Sequence, residues 1–260
     1  MSASVAAVEA PRIGPAGWAL FTFRLVLMIL LLLVCVPLHL LWRLLRLPRL
    51  WPRIFLGGIG AIAGLHIKRI GKARPGALLI SNHVTWLDIP ALAEASGSAF
   101  VAHDGLSDFP LLKWLCDMND TVFVARHRRS SVARQADEIL EAIEDGGTLT
   151  LFPEGTTSDG TGLLPFKSAL FSAIEPVPQG VAVQPVLLEY HDVPDIAWVG
   201  EEPGLDNFKR ILARFRPIKL DIHFLDPLTG EALANRKTMA TASQSAIQRA
   251  FALLPPSRLR

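Results

Sequence analysis

The chain has 260 residues, half of them apolar, a formal net charge of +2 and only two cysteines. The length suits one domain with an added N-terminal segment. Without CxxC or Cys/His spacing, Cys35 and Cys116 read as free thiols in a reducing compartment, which excludes a disulfide framework and a metal site.

Residues 10–87 carry ten cations and no anion, while the remaining 16 basic and 23 acidic residues leave 88–260 at −7. A basic, apolar front joined to an acidic body points to anionic lipid headgroups rather than nucleic acid, because the arginines flank hydrophobic runs and no aromatic-rich binding motif is present. Residues 1–17 are expected to be a disordered N-terminus, 18–75 hydrophobic and basic membrane-anchoring helices, and 76–260 an α/β domain.

From Leu25 to Trp42 no residue is charged, a run just long enough to cross a bilayer core, with Trp18 and Trp42 at interfacial depths. Pro37 and His39 interrupt it, so the run either spans the membrane or re-enters and lies in the interface. It lacks a small-residue cleavage site and is expected to be retained. Arg43, Arg46, Arg49 and Arg53 follow directly, which puts the downstream domain on the cytoplasmic side of the inner membrane. Trp51 to Leu65 is a second apolar stretch, expected to pack on the first.

Short β-type runs then alternate with helical segments. Expected strands are Ala77–Ile80, Ala99–Ala102, Thr121–Ala125, Thr148–Phe152, Val181–Leu188 and Ile218–Phe224. Ser131–Asp145 has apolar residues at helical spacing, and Thr238–Leu254 reads as a closing helix. This order predicts an α/β fold with a largely parallel central sheet flanked by helices.

Two strand ends carry candidate chemistry. After Ala77–Ile80 comes Ser81-Asn82-His83-Val84-Thr85-Trp86-Leu87-Asp88, where Thr85 could cap a helix and the turn could bring the Asp88 carboxylate to the His83 ring. A carboxylate so placed fixes the imidazole tautomer and favours a base that takes a hydroxyl proton. After Thr148–Phe152 comes Pro153-Glu154-Gly155-Thr156-Thr157-Ser158, with a glycine permitting close backbone approach and three hydroxyls. A third strand ends at Arg126, near Arg128 and Arg129, and arginine suits bidentate phosphate recognition. No G-x-S-x-G elbow occurs, which argues against a serine hydrolase. Each remaining histidine (His39, His66, His103, His127, His191 and His223) stands apart without ligand spacing.

Taken together, these groups resemble the glycerolipid acyltransferases of the 1-acylglycerol-3-phosphate acyltransferase type. Asn82, His83 and Asp88 match the family's Asn-His-x4-Asp. Phe123 and Arg126 match its second motif, Phe152 to Thr156 with Ser158 its third, and Val183-Gln184-Pro185-Val186 its fourth. Leu164-Pro165-Phe166-Lys167 is also typical. The chain departs from the family at Thr157, where an arginine is usual, and at Asp120, where the second motif usually opens with glycine.

The resemblance implies a membrane-bound lysophospholipid O-acyltransferase. His83 would act as base and Asp88 would orient it. Arg126, Glu154, Gly155, Thr156 and Lys167 would bind substrate, and backbone N–H groups near Gly155 would hold the oxyanion. Acyl-CoA or acyl-carrier protein would be co-substrate, with no cofactor and no metal. The implied acceptor is 1-acyl-sn-glycerol-3-phosphate, giving phosphatidic acid. Thr157 makes lyso-ornithine lipid the alternative. A membrane-bound thioesterase and a non-enzymatic lipid-binding protein are the readings from other classes.

Overall fold

The computed structural model describes residues 13–47, 50–103, 114, 118, 121–124, 147–200 and 202–254. The expected helix over 131–145, Cys116, Asp120, Arg126, Arg128 and Arg129 lie outside these.

Pro15 near the N-terminus and a long leucine-rich stretch start helix α1, Pro15–Leu44, which is 30 residues long. A proline there is pre-set for the helix and forgoes a donor that has no partner anyway. The helix is longer than the uncharged run and continues through Pro37. It is the one helix among the described residues long and apolar enough to cross a membrane. Helix α2, Trp51–Ala63, packs against it. The two approach closely at Gly58, where an added Cβ would sit 2.5 Å from Leu31 Cδ2. The Trp42 and Trp51 rings meet edge to face at 5.6 Å.

Seven strands form one sheet: β1 Leu65–Ile70, β2 Leu78–Ser81, β3 Ala99–His103, β4 Val122–Val124, β5 Leu149–Leu151, β6 Val183–Tyr190 and β7 Ile218–Phe224. Their order is β1-β7-β6-β2-β5-β3-β4, and every pairing is parallel except β6 with β7. All residues of β2, β5 and β6 are buried, as the near-continuous apolar runs of interior parallel strands require.

The sheet begins at Leu65, within the stretch expected to be membrane anchor. Strand β1 (Leu-His-Ile-Lys-Arg-Ile) lies at the sheet's edge with its last three residues exposed, so it tolerates Lys68 and Arg69 and lacks the apolar signature of an inner strand.

Side chains alternate across the sheet into two cores. Leu79, Val186, Leu188, Tyr190, Leu220 and Ile222 pack toward α1, α2, helix α3 (Asp88–Ser96) and helix α4 (Gly204–Leu212). Leu78, Ile80, Val183 and Leu187 pack on the other side against helix α5 (Arg236–Ala252) and the 3-10 segment Ser168–Ile174. Helix α5 starts with a reciprocal capping box between Asn235 and Thr238.

Candidate active site

Strand β2 ends at Ser81, and the next side chain extends its pairing. Asn82 Nδ2 donates to the Leu188 carbonyl at 3.1 Å while Oδ1 accepts the Leu188 N–H at 2.8 Å. The loop that follows is thereby tied to β6 before it turns into α3.

In that loop His83 Nδ1 lies 2.7 Å from Asp88 Oδ2. The same oxygen accepts the N–H groups of Val84 at 2.6 Å and Thr85 at 3.1 Å, and Oδ1 accepts the Tyr190 hydroxyl at 2.7 Å. The Asp88 carboxylate is fully buried, and four donors replace the water it has lost. Since the carboxylate only accepts, Nδ1 carries the imidazole proton and Nε2 is left basic.

The turn keeps one half of the capping-box arrangement that the spacing of Thr85 and Asp88 suggests, the carboxylate on the Thr85 N–H, and lacks the other. Helix α3 begins at Asp88, not at Thr85, and the aspartate reaches back to cap the turn's N–H groups. The Thr85 hydroxyl caps nothing and is buried without a hydrogen-bond partner among the described residues.

His83 is stacked on Phe152 with ring centroids 4.2 Å apart, and Phe152 is stacked in turn on Phe100 at 6.1 Å. The His83 side chain stays 19% exposed, enough for one edge to be reached. Phe152 ends the strand region before the second loop, so the stack brings the two loops together. A double link reinforces it: the His83 carbonyl accepts the Ser158 N–H at 2.7 Å and the Ser158 hydroxyl at 3.0 Å.

Within the second loop, Gly155 has φ +67°, a conformation that disfavours any side chain, and the Lys167 ammonium lies over it, 3.1 Å from where a Cβ would be. Its own N–H donates to the Phe152 carbonyl at 3.1 Å, so that group is spent on the turn and is not an oxyanion donor. Thr156 is exposed beside it.

Glu154 is buried, and neither carboxyl oxygen has a hydrogen-bond partner among the described residues. Burial pushes its carboxyl up to about 8, and the negative charge of Asp88 adds to the effect. The His83 and Leu164 N–H groups and the Ser158 hydroxyl draw it the other way, from positions short of good hydrogen-bond geometry.

Thr157, where the arginine was missing, points its hydroxyl at the Trp198 carbonyl and donates to it. Trp198 N–H donates to the Val84 carbonyl at 3.0 Å, so both loops are bound to the segment after β6.

The structure therefore gathers His83, Asp88, Glu154, Gly155 and Lys167 at one edge of the sheet. Tyr190 joins them and was not legible in the sequence, because it reaches Asp88 from 102 residues away. Burial and the Asp88 charge hold its phenol far above the ordinary range, so it stays a donor.

On the opposite sheet face, Glu189, His191 and Asp221 have ligand-type atoms within 4.8 Å of one another. Histidines already stand against both carboxylates: His223 Nε2 is 2.7 Å from Glu189 and His191 Nε2 is 3.6 Å from Asp221.

A buried carboxylate bracing a partly exposed imidazole at a strand end is the geometry of a general base. The Acyltransferase family model matches residues 65–189, which contain both loops and begin at β1. Lyso-ornithine lipid O-acyltransferase of Brucella abortus is 34% identical over 220 residues, covering 78% of this chain and 80% of that one. The chain belongs to the acyltransferase family. This acyltransferase is also 38% identical over 141 residues to 1-acyl-sn-glycerol-3-phosphate acyltransferase of Neisseria gonorrhoeae, covering 52% of this chain and 54% of that one. The crystal structure of the 1-acyl-sn-glycerophosphate acyltransferase of Thermotoga maritima shares its fold with a TM-score of 0.56 at 20% identity, over 88% of this chain and 96% of that one. The acyltransferase is thus an O-acyltransferase with a mostly parallel α/β fold.

Proposed function

We propose that this acyltransferase moves a fatty acyl group from acyl-CoA or acyl-carrier protein to the free hydroxyl of a lysolipid, with lyso-ornithine lipid the acceptor it fits best. The observation that carries the reading is the Asp88-braced imidazole of His83, with Nε2 as its basic edge.

His83 Nε2 takes the proton of the acceptor hydroxyl as that oxygen attacks the thioester carbonyl carbon. Asp88 holds Nδ1–H and stabilises the imidazolium. The C–O bond forms, the C–S bond breaks, and His83 returns the proton to the departing thiolate. Backbone N–H groups of the turn near Gly155, other than the one spent on Phe152, would be the oxyanion donors. The acyl group passes directly between substrates, so no side chain of the enzyme is acylated.

The acceptor follows from charge. Glu154 is a buried carboxyl with no hydrogen-bond partner or cation among the described residues, and Thr157 is neutral and spends its hydroxyl on Trp198. An ornithine headgroup carries an ammonium on its side chain, which would supply the missing countercharge. The relative from Brucella abortus, matched over 80% of its length, is named for that acceptor. The second reading is 1-acyl-sn-glycerol-3-phosphate, giving phosphatidic acid. Lys167 over Gly155 favours it, because an ammonium there can meet a phosphate.

The enzyme would sit on the cytoplasmic face of the inner membrane. Phe23, Val26, Leu30, Leu33, Leu40 and Leu44 leave an apolar stripe of α1 exposed. Helix α1 packs on α2, and α2 packs on α3, so the hairpin is held against the domain. This favours the interfacial alternative over a spanning helix.

The test is a membrane assay of the full chain with labelled acyl-CoA or acyl-carrier protein against a panel of lysolipids. A dominant diacyl ornithine lipid product, lost by 10²–10⁴-fold (roughly) in His83→Ala, is expected. Phosphatidic acid as the main product selects the second reading. Free fatty acid with every acceptor identifies a thioesterase instead, and near-normal turnover in His83→Ala ends the proposal.

A further inference from the structure

Helix α4 and the turn after it carry an apolar surface that the core does not use. Leu205 is 62% and Phe215 67% exposed, and Phe215 is followed by exposed Arg216 and Pro217. Two neighbouring basic side chains are already paired, Arg210 with Glu202 and Arg214 with Asp192 and Asp195. Arg216 has no carboxylate partner among the described residues.

The position of this tip is fixed relative to α1. Arg24, the last charged residue before the uncharged run of α1, donates from Nη1 to the carbonyls of Leu212 at 3.1 Å and Arg214 at 2.8 Å. Phe21, one turn earlier, meets Phe208 of α4 edge to face at 6.3 Å. The end of α4 therefore sits beside Arg24, the one charged residue of α1 before Arg43, and a lone arginine in an apolar membrane helix is held at the headgroup boundary.

It also lies on the same sheet edge as His83. Strand β7 leaves the tip at Ile218 and runs antiparallel to β6, so Leu220 lies opposite Tyr190, the partner of Asp88. Phe208 lies 5.2 Å from Trp86 of the His83 loop.

We propose that the turn Ala213–Pro217, with Leu205, is a second lipid contact: Phe215 inserts among the acyl chains, Arg216 meets lipid phosphate, and the His83 edge is thereby held against the bilayer surface. The occupant is a lipid surface and not a protein, because the tip is tied directly to α1, whose apolar side chains are also exposed, and adds a cation with no carboxylate partner among the described residues. The inference rests on the reading of α1 as a membrane element.

The test uses single-cysteine full chains in a Cys35→Ala, Cys116→Ser background, labelled with an environment-sensitive fluorophore at Phe215→Cys, at Leu33→Cys on the outer face of α1, and at Glu231→Cys in the exposed turn before α5. Each is reconstituted in phosphatidylglycerol/phosphatidylethanolamine vesicles with or without nitroxide lipids. Strong quenching at 33 and 215, and none at 231, is expected. Quenching at 33 but not at 215 overturns the second contact while leaving α1 in lipid, and quenching at neither removes both. Fluorescence at 215 that ignores nitroxide lipid but follows protein concentration would indicate a second copy of the chain and also overturns it. Independently of labelling, Phe215→Ser should raise KM for vesicle-borne lysolipid about tenfold, from the loss of one buried aromatic contact, and leave kcat on detergent-dispersed lysolipid unchanged. An unchanged KM on vesicles refutes the proposal.

Discussion

Tyr190 donates its hydroxyl to Asp88 Oδ1 at 2.7 Å, on the carboxylate oxygen that His83 does not use. The phenol is buried, so its contribution to the carboxylate is not diluted by water. Removing the hydroxyl leaves a desolvated charge with one donor fewer, at a cost of about 1–3 kcal/mol. Tyr190→Phe should lower kcat/KM about tenfold. Asp88 then attracts the imidazole proton more strongly, so the acid limb of the pH–kcat/KM profile moves to higher pH. A loss of thermal stability with an unmoved acid limb would mean that Tyr190 is only a packing residue.

Asp88→Asn tests the turn as well as the base. Oδ2 accepts from three donors, and an amide nitrogen placed there would face the Val84 and Thr85 N–H groups. An amide turned the other way would face the Tyr190 hydroxyl, which can rotate to accept. The variant should lose activity by about 10²-fold or more while remaining folded, as judged by circular dichroism. Activity within a factor of two of the parent would show that the carboxylate is not needed.

Thr157→Arg should move acceptor preference. An arginine there would lie in the loop that holds Glu154 and would supply a fixed cation. The ratio of 1-acyl-sn-glycerol-3-phosphate to lyso-ornithine lipid turnover should rise about tenfold or more, a change of roughly 1.4 kcal/mol in relative binding. Competition assays with both acceptors present measure it directly. An unchanged ratio would separate residue 157 from headgroup choice.

Glu154 makes stability depend on pH. An unfolded glutamate ionises near pH 4.3 (about), whereas the buried one keeps its proton to about 8. Between those values the folded state holds a proton that the unfolded state has released, so stability falls as pH rises across the window. Glu154→Gln removes this slope. The parent's Tm should drop more than the variant's between pH 5 and pH 8, by about 2–4 °C for each kcal/mol at this chain size. Parallel Tm curves would contradict the buried, unpaired carboxyl.

Ligand binding should show the same group. If the ornithine ammonium pairs with Glu154, binding at pH 7 releases a proton from the carboxyl. Calorimetric titration in two buffers of different ionisation enthalpy would detect it. Binding without proton release would leave the acceptor assignment without its electrostatic basis.

Much of this arrangement was legible in the sequence, and the exceptions have physical causes. Interior strands such as β2 and β6 are buried on both faces and read as apolar runs. The edge strand β1 needs only partial burial, so Lys68 and Arg69 hid it. The spacing of Thr85 and Asp88 suggested a capping turn that brings the carboxylate to His83, but not that the Thr85 hydroxyl would take no part in it. Local pattern also could not find Tyr190, whose role depends on β6 lying next to β2 in the sheet. Nor could it show that Glu154 is buried with no hydrogen-bond partner among the described residues, since that depends on how the two loops pack.

The two bonds from Ser158 to the His83 carbonyl join the backbone of one loop to that of the other. In the proposed reading, the proton-transfer group and the turn that would meet the headgroup therefore share one frame. A change of acceptor in such an enzyme need not reshape a loop. It can come from exchanging side chains on the Glu154 turn while the imidazole keeps its aim, so relatives with different lipid products can inherit the same base.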